Sequence, residues 1–259
     1  MFKLAQIQFA PLLGDINTNC EKAEKLISQC NDSHLIILPE LSDTGYNFPN
    51  RKYAFDLAYD IEENPFVKML LRKSREMNTS IVSGICEKVD DKLYNSSILV
   101  SKGNILGTYR KIHLFMNDKD IFEPGVGGLE VYEIEGVNIG ILICFDYLFP
   151  EIWRILAQKN ADIIAHPSNL VTYNAFKVVP AQAIINKVFI ATTNRIGTER
   201  DLTFAGRSFM CKPDGNIIKE AAKESEEIIK SNVDVKLARD KMITSRNHVF
   251  NDLKPESYF

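Results

Sequence analysis

Apolar and polar residues alternate from Leu4 to Phe9, the two-residue period of a strand, where a secretion signal would carry an unbroken apolar core. Ala23, Leu26, Ile27 and Cys30 then recur at helical spacing within residues 17–30. Leu35-Ile36-Ile37-Leu38 is a short buried strand stopped by Pro39, so the chain opens β-α-β. Asn64-Pro65 pairs a capping side chain with a first-turn proline and predicts a helix through about Met77. Strands are predicted over residues 80–86, 93–100 and 105–109, with turns at Asp90-Asp91 and Lys102-Gly103-Asn104. The alternation then continues. Strands at 129–134 and 137–143 precede a helix over 150–159, a strand over 162–166, a helix over 175–187 and a strand over 188–194. Residues 209–211 and 216–218 flank Pro213-Asp214-Gly215 as a hairpin, the charged stretch 219–230 reads as a solvated loop or face, and 235–242 as a last helix. With no linker, short repeat or low-complexity tract, one α/β domain over residues 1–259 is the economical organisation.

Composition narrows the class. The 31 Lys and Arg nearly balance 34 Asp and Glu, leaving a formal charge of −3 and no basic stripe for a phosphate backbone. Nucleic acid is therefore not an expected partner. No apolar stretch is long and unbroken enough for a bilayer, which needs about 18 residues or more, so no membrane association is expected. The five cysteines, Cys20, Cys30, Cys86, Cys144 and Cys211, form no Cys-x-x-Cys pair and match no histidine spacing. That pattern argues against a disulfide framework and a zinc site, and for the reducing cytoplasm.

Three apolar strands stop abruptly at a reactive side chain: Glu40 after Leu38-Pro39, Lys111 after Tyr109-Arg110, and Cys144 after Leu142-Ile143. Ligands of α/β sheets bind outside the carboxyl ends of strands, which is where the three would converge. Taken singly, each has an ordinary reading: a core thiol, a strand-end carboxylate, a surface lysine. Together they are the parts of an acyl-transfer site. A thiol attacks, a carboxylate takes its proton and returns it to a leaving amine, and a cation steadies the oxyanion. A Cys–His alternative involving His113 or His166 is weaker, because neither stands in a papain-like or caspase-like local signature. Gly125-Val126-Gly127-Gly128 lacks the strand–turn–helix setting of a dinucleotide loop, and no Gly-x-Ser-x-Gly elbow occurs.

An ordered set of segments covers most of the chain: Leu38-Pro39-Glu40-Leu41 with Thr44-Gly45-Tyr46, Tyr109-Arg110-Lys111-Ile112-His113-Leu114-Phe115, Phe122-Glu123-Pro124-Gly125, Ile143-Cys144-Phe145-Asp146 with Phe149-Pro150-Glu151, His166-Pro167-Ser168-Asn169, and Asn194-Arg195-Ile196-Gly197. In this order they resemble the nitrilase, or carbon–nitrogen hydrolase, superfamily, in its amidase and carbamoylase-like branch. The resemblance implies a four-layer α-β-β-α sandwich and a triad of Glu40, Lys111 and Cys144, with the backbone N–H of Phe145 as a second oxyanion donor. It implies hydrolysis of a small amide, carbamoyl compound or nitrile with no metal and no organic cofactor, and a homodimer or higher homo-oligomer. A catalytically silent scaffold of the same fold is the rival from another class. Relatives commonly carry a further glutamate after the lysine. Here Asp118, seven residues on, and Glu123 are both candidates for that place. Tyr46, His113, Tyr147, Leu148, His166, Ser168 and Asn169 are the candidate pocket residues. With Tyr147 and Leu148 after the nucleophile, where carboxylate-binding relatives tend to place arginine, a neutral or amine-bearing substrate is expected. Arg51, Arg195 and Arg207 are the side chains that would overturn that expectation.

Overall fold

The structure is a computed structural model and describes residues 1–258. Two six-stranded sheets are built on one plan, a parallel triplet flanked by antiparallel strands. In the first sheet the triplet is β1 (Phe2–Gln8), β2 (Leu35–Ile37) and β3 (Ser80–Val89), extended by β4 (Lys92–Ser101) and β5 (Asn104–Arg110). In the second sheet β6 (Val131–Ile134) pairs with β7 (Val137–Ile141). β7 begins a parallel triplet with β8 (Ile163–Ser168) and β9 (Phe189–Asn194), and β10 (Phe209–Cys211) and β11 (Ile217–Glu220) complete the sheet. The first sheet is closed on its other side by β12 (Glu227–Val233), antiparallel to β1 from Phe2 opposite Val233 to Gln8 opposite Glu227.

The helices α1 (Ile16–Ile27), α2 (Arg51–Leu57), α3 (Pro65–Glu76), α4 (Asp118–Ile121), α5 (Pro150–Gln158) and α6 (Ala175–Asn186) connect the strands. Ala23 and Ile27 of α1 and Phe66, Val67 and Leu70 of α3 pack on Ala5, Ile7, Ile36 and Ile81, the outer face of the first sheet. Trp153 and Leu156 of α5 and Val179 and Ala183 of α6 belong to the core cluster of the second sheet. Gly140 of β7 faces α5, since a Cβ there would lie 3.1 Å from Leu156, so its neighbours Ile139 and Ile141 face the first sheet. There they join one cluster with Leu4, Leu35, Ile37, Val82 and Leu99. The four layers are thus helix, sheet, sheet, helix, as the resemblance implies.

Local signals carry most of the elements. Asn64 caps α3, its Oδ1 accepting from the backbone N–H of Phe66 at 2.8 Å, with Pro65 in the first turn. The polar positions of β1 have a different fate from the one alternation suggests. Gln6 and Gln8 are buried between the sheets, Gln6 Nε2 donating to Thr192 O and Phe209 O at 2.8 and 3.1 Å, and Gln8 Oε1 accepting from Ser208 N at 2.8 Å.

One reading needs correction and two elements were missed. The stretch 219–230 is largely exposed, as a solvated loop or face should be, but its second half begins β12, a strand the pattern did not predict, in which Ile229, Ser231 and Val233 alternate inward along β1. The last helix covers only Lys236–Arg239, because the Asp240 carboxylate accepts from Met242 N at 3.0 Å and turns the chain into a short strand, Met242–Thr244. Helix α2 was missed, although Asn50 caps it by accepting from Tyr53 N at 2.9 Å.

Candidate active site

Glu40 follows β2 and Cys144 follows β7, each beyond the carboxyl end of a strand in a parallel triplet, and Lys111 follows β5. The structure brings the first and third of these together directly. Lys111 Nζ donates to Glu40 Oε1 at 2.7 Å and to Asp118 Oδ2 at 2.5 Å, and all three groups are buried. Glu40 Oε1 also accepts from Asn95 Nδ2 at 2.7 Å, and Asn95 O accepts from Lys111 N at 2.8 Å. Glu123, by contrast, is half-exposed and faces Arg51 at 3.8 Å, so the carboxylate beside the lysine is Asp118.

Glu40 reaches this place because β3 lets it. A Cβ on Gly84 would lie 2.4 Å from Glu40 Cα and 2.3 Å from Leu41 N, and the bare glycine instead takes the loop by Gly84 N to Pro39 O and Ser42 N to Gly84 O, both 3.0 Å. Leu41 then turns with φ +47°.

Cys144 stands at φ +44°, a left-handed conformation that costs a non-glycine residue about 1–2 kcal/mol and has to be held by its surroundings. Asp146 holds it. Its buried carboxylate accepts from Ile143 N at 2.9 Å, from Tyr109 Oη at 2.7 Å and from His113 Nδ1 at 2.7 Å, and Asp146 N donates back to Ile143 O at 3.0 Å. One carboxylate therefore ties the turn of Cys144 to both sides of Lys111. His166 Nε2 donates to Cys144 O at 2.9 Å and its Nδ1 accepts from Thr192 Oγ1 at 3.0 Å. Burial pushes His166 down to about 4, so the ring is neutral at pH 7.

Burial and the nearby Glu40 charge push the Cys144 thiol well above its ordinary range, against the pull of Lys111 and of the Asn169 backbone N–H on the sulfur. Burial also raises Glu40; Lys111 opposes this and the Asp118 charge adds to it. For Lys111, burial opposes the charge, but Asp118 and Glu40 outweigh it and hold the ammonium firmly protonated. The site thus pairs a buried thiol that resists ionisation with a buried carboxylate of raised proton affinity, one able to accept the proton of the other.

The thiol opens onto a cavity of at most about 230 Å³ lined by Phe115, Phe145, Tyr147, Asn169, Val171 and Thr172 among others. Of the candidate pocket residues, Tyr147 and Asn169 line this cavity. Tyr46 lines a neighbouring cavity with Asp118, its backbone N–H held by Glu199 at 2.8 Å. Leu148 is not a pocket residue: it is exposed and absent from the cavity wall, because the turn after Cys144 carries it outward. His166 and Ser168 are buried behind the wall, and His113, stacked on Phe149 at 3.5 Å, serves Asp146. Neither His113 nor His166 bonds the thiol. No arginine lines the cavity: Arg195 pairs with Glu199 at 2.9 Å, Arg207 with Glu220 at 2.5 Å, and Arg51 donates to Ile121 O and Asp91 O. Asn95 and Gly84 had no readable signal, since their roles arise across strands. Asp146 stood two residues after Cys144 in the sequence without a role.

Residues 3–241 match the family model described as carbon-nitrogen hydrolase, and a nitrilase of Pyrococcus abyssi is 41% identical over the full length of both chains. The chain belongs to the carbon-nitrogen hydrolase family. N-carbamoylputrescine amidase of Arabidopsis thaliana is 28% identical over 98% of this hydrolase and 93% of its own length. Among solved structures, Nit3 of Saccharomyces cerevisiae, a member of the nitrilase superfamily, superposes with a TM-score of 0.84 at 25% identity, covering 92% of each chain. The protein is a nitrilase-superfamily enzyme that hydrolyses carbon–nitrogen bonds. None of the described helices is long and apolar enough to cross a membrane.

Proposed function

We propose that the enzyme hydrolyses a small linear amide or N-carbamoyl compound through a Cys144 thioester and releases ammonia. The observation that carries this reading is the buried Glu40–Lys111 pair whose charges both act on the buried thiol of Cys144. Cys144 Sγ bonds to the carbonyl carbon as its proton passes to Glu40. The oxyanion is met by Lys111, which has three N–H bonds and spends two on Glu40 and Asp118, and by the Phe145 backbone N–H. The C–N bond breaks as Glu40 returns the proton, and ammonia leaves. Water then gives its proton to Glu40 and its oxygen to the acyl carbon, the C–S bond breaks, and the thiol is restored as the acid departs. A carbamoyl compound follows the same path and yields CO₂ as well.

The narrow, largely apolar cavity without an arginine supports a small neutral or amine-bearing substrate, since a buried carboxylate would lack a partner. The nitrilase name of the Pyrococcus relative supports a nitrile as the second reading. Ammonia release from matched amides, carbamoyl amines and nitriles tests the choice, and loss of all three with Cys144→Ala tests the nucleophile. No turnover together with no electrophile labelling of Cys144 would leave the silent scaffold. Exposed Leu148, Ile155, Ile184 and Ile185 support a homo-oligomer, to be checked by light scattering, and five free thiols support the cytoplasm.

A further inference from the structure

Asn169 ends the segment beyond β8, is 2% exposed and lines the cavity beside Cys144. Its backbone N–H bears on the Cys144 sulfur, and its side-chain Nδ2 donates to Glu40 O at 3.0 Å. That second bond fixes the orientation of the amide. Turned over, Asn169 would set its oxygen against the Glu40 carbonyl, acceptor against acceptor, so Nδ2 belongs to Glu40 and Oδ1 is the other atom. Asn169 Oδ1 is buried and has no hydrogen-bond partner among the described residues. Glu40 Oε2 and Asn95 Oδ1 are also without partners among the described residues; Glu40 is the proposed base, whose free oxygen takes the thiol proton, and Asn95 does not line the cavity. A buried acceptor left unpaired beside a nucleophile calls for a donor that arrives with the substrate.

We propose that Asn169 Oδ1 accepts an N–H of the scissile –NH₂ and makes the enzyme select primary carboxamides and carbamoyl groups over nitriles and esters. The proposal rests on the reading of Cys144 as the nucleophile. A primary amide nitrogen carries two donors and, as ammonia departs, needs acceptors to receive it. A nitrile nitrogen carries no hydrogen and meets Asn169 Oδ1 as acceptor against acceptor. An ester oxygen has no hydrogen to offer either. A site built around a hydrogen-bonding group discriminates most strongly against analogues lacking its partner, because the buried group is then left unpaired.

The test measures kcat/KM of wild type, Asn169→Ala and Asn169→Ser on three derivatives of one small acid: its primary amide, its nitrile and its p-nitrophenyl ester, the last also read as burst acylation of Cys144. Thermal melting accompanies each variant. The expected result is that Asn169→Ala loses at least tenfold more on the amide than on the ester, any loss from the broken Nδ2 bond to Glu40 O falling on both, and that Asn169→Ser, whose hydroxyl keeps an acceptor, lies between. Equal losses on amide and ester would assign Asn169 to holding the Glu40 loop or the thiol and overturn the proposal. A wild-type preference for the nitrile over the amide would overturn it as well. If Asn169→Ala unfolds, Asn169→Ser decides on the same ratio. Failure of the underlying reading looks different: ester acylation would then persist in Cys144→Ala.

Discussion

Glu40 and Cys144 occupy matching places in the two sheets, each a few residues past a strand of a parallel triplet and each at a left-handed turn, Glu40 before Leu41 at φ +47° and Cys144 itself at φ +44°. The two turns are held by different means. On the glutamate side the device is an absence: Gly84 brings β3 within contact of the Glu40 backbone. On the cysteine side it is a charge, the Asp146 carboxylate, which gathers Ile143 N, Tyr109 Oη and His113 Nδ1. A backbone cradle holds the turn of the proposed base, and a side-chain brace holds the proposed nucleophile in the geometry its attack would require.

The largest effect is expected from the nucleophile. Cys144→Ala abolishes turnover and leaves the melting temperature within a few degrees, since one small residue replaces another; acylation found at Cys86 or Cys211 would reassign the reaction. Next come the groups around it. Glu40→Gln and Lys111→Ala lower kcat by about 10²–10⁴ and about 10²–10³ with little change in KM. Lys111→Arg does not restore activity, because a planar fork cannot stand between Glu40 and Asp118 in place of a compact ammonium.

The two supports themselves separate at the third level. Gly84→Ala pushes the Glu40 backbone away, and Asp146→Asn keeps the shape but weakens three charge-assisted bonds, each worth about 1.5–3 kcal/mol when intact. Both lower kcat and the melting temperature. Asp146→Asn also slows alkylation of Cys144, which Gly84→Ala leaves closer to wild type.

A pH series divides the halves again. Beside the Glu40 turn, burial raises Asp43 to about 6 against its bonds from Asn64, Cys86 and Thr44, so the folded state holds a proton that the unfolded state has lost. Stability from this group falls as pH rises from about 4 to about 6. Beneath Cys144, His166 has the opposite sign: burial lowers it to about 4, the unfolded chain binds the extra proton, and stability rises between about pH 4 and 6.5. Denaturant unfolding of Asp43→Asn steepens the rise, and His166→Gln exposes the fall. The same slope in both variants would refute the opposition. The smallest effect belongs to Leu148→Ala, whose side chain lies outside the cavity: kcat/KM changes less than threefold, whereas Tyr147→Ala alters substrate preference.

The strand runs that stop at Glu40, Lys111 and Cys144, the cap at Asn64-Pro65 and the alternation of elements were legible in the sequence because each signal is complete within about ten residues. The polar half of β1 was legible as a strand but not as a buried one, since Gln6 and Gln8 find their partners in the other sheet, nearly two hundred residues away. For the same reason β12 was not legible at the end of 219–230: the charges there are local, but the edge of β1 that the strand fills is not.

By itself, then, the sequence determined most of the order of strands and helices, α2 and β12 excepted, and which side chains could do acyl-transfer chemistry, for periodicity and residue type are local properties. The tertiary structure alone decided that Asp118 and not Glu123 stands beside Lys111, that Asn95 shares Glu40, that Asp146 braces the thiol and that Leu148 faces outward. Each of those outcomes depends on where a distant strand or turn places its atoms to within a hydrogen-bond length, and no pattern along the chain records that distance.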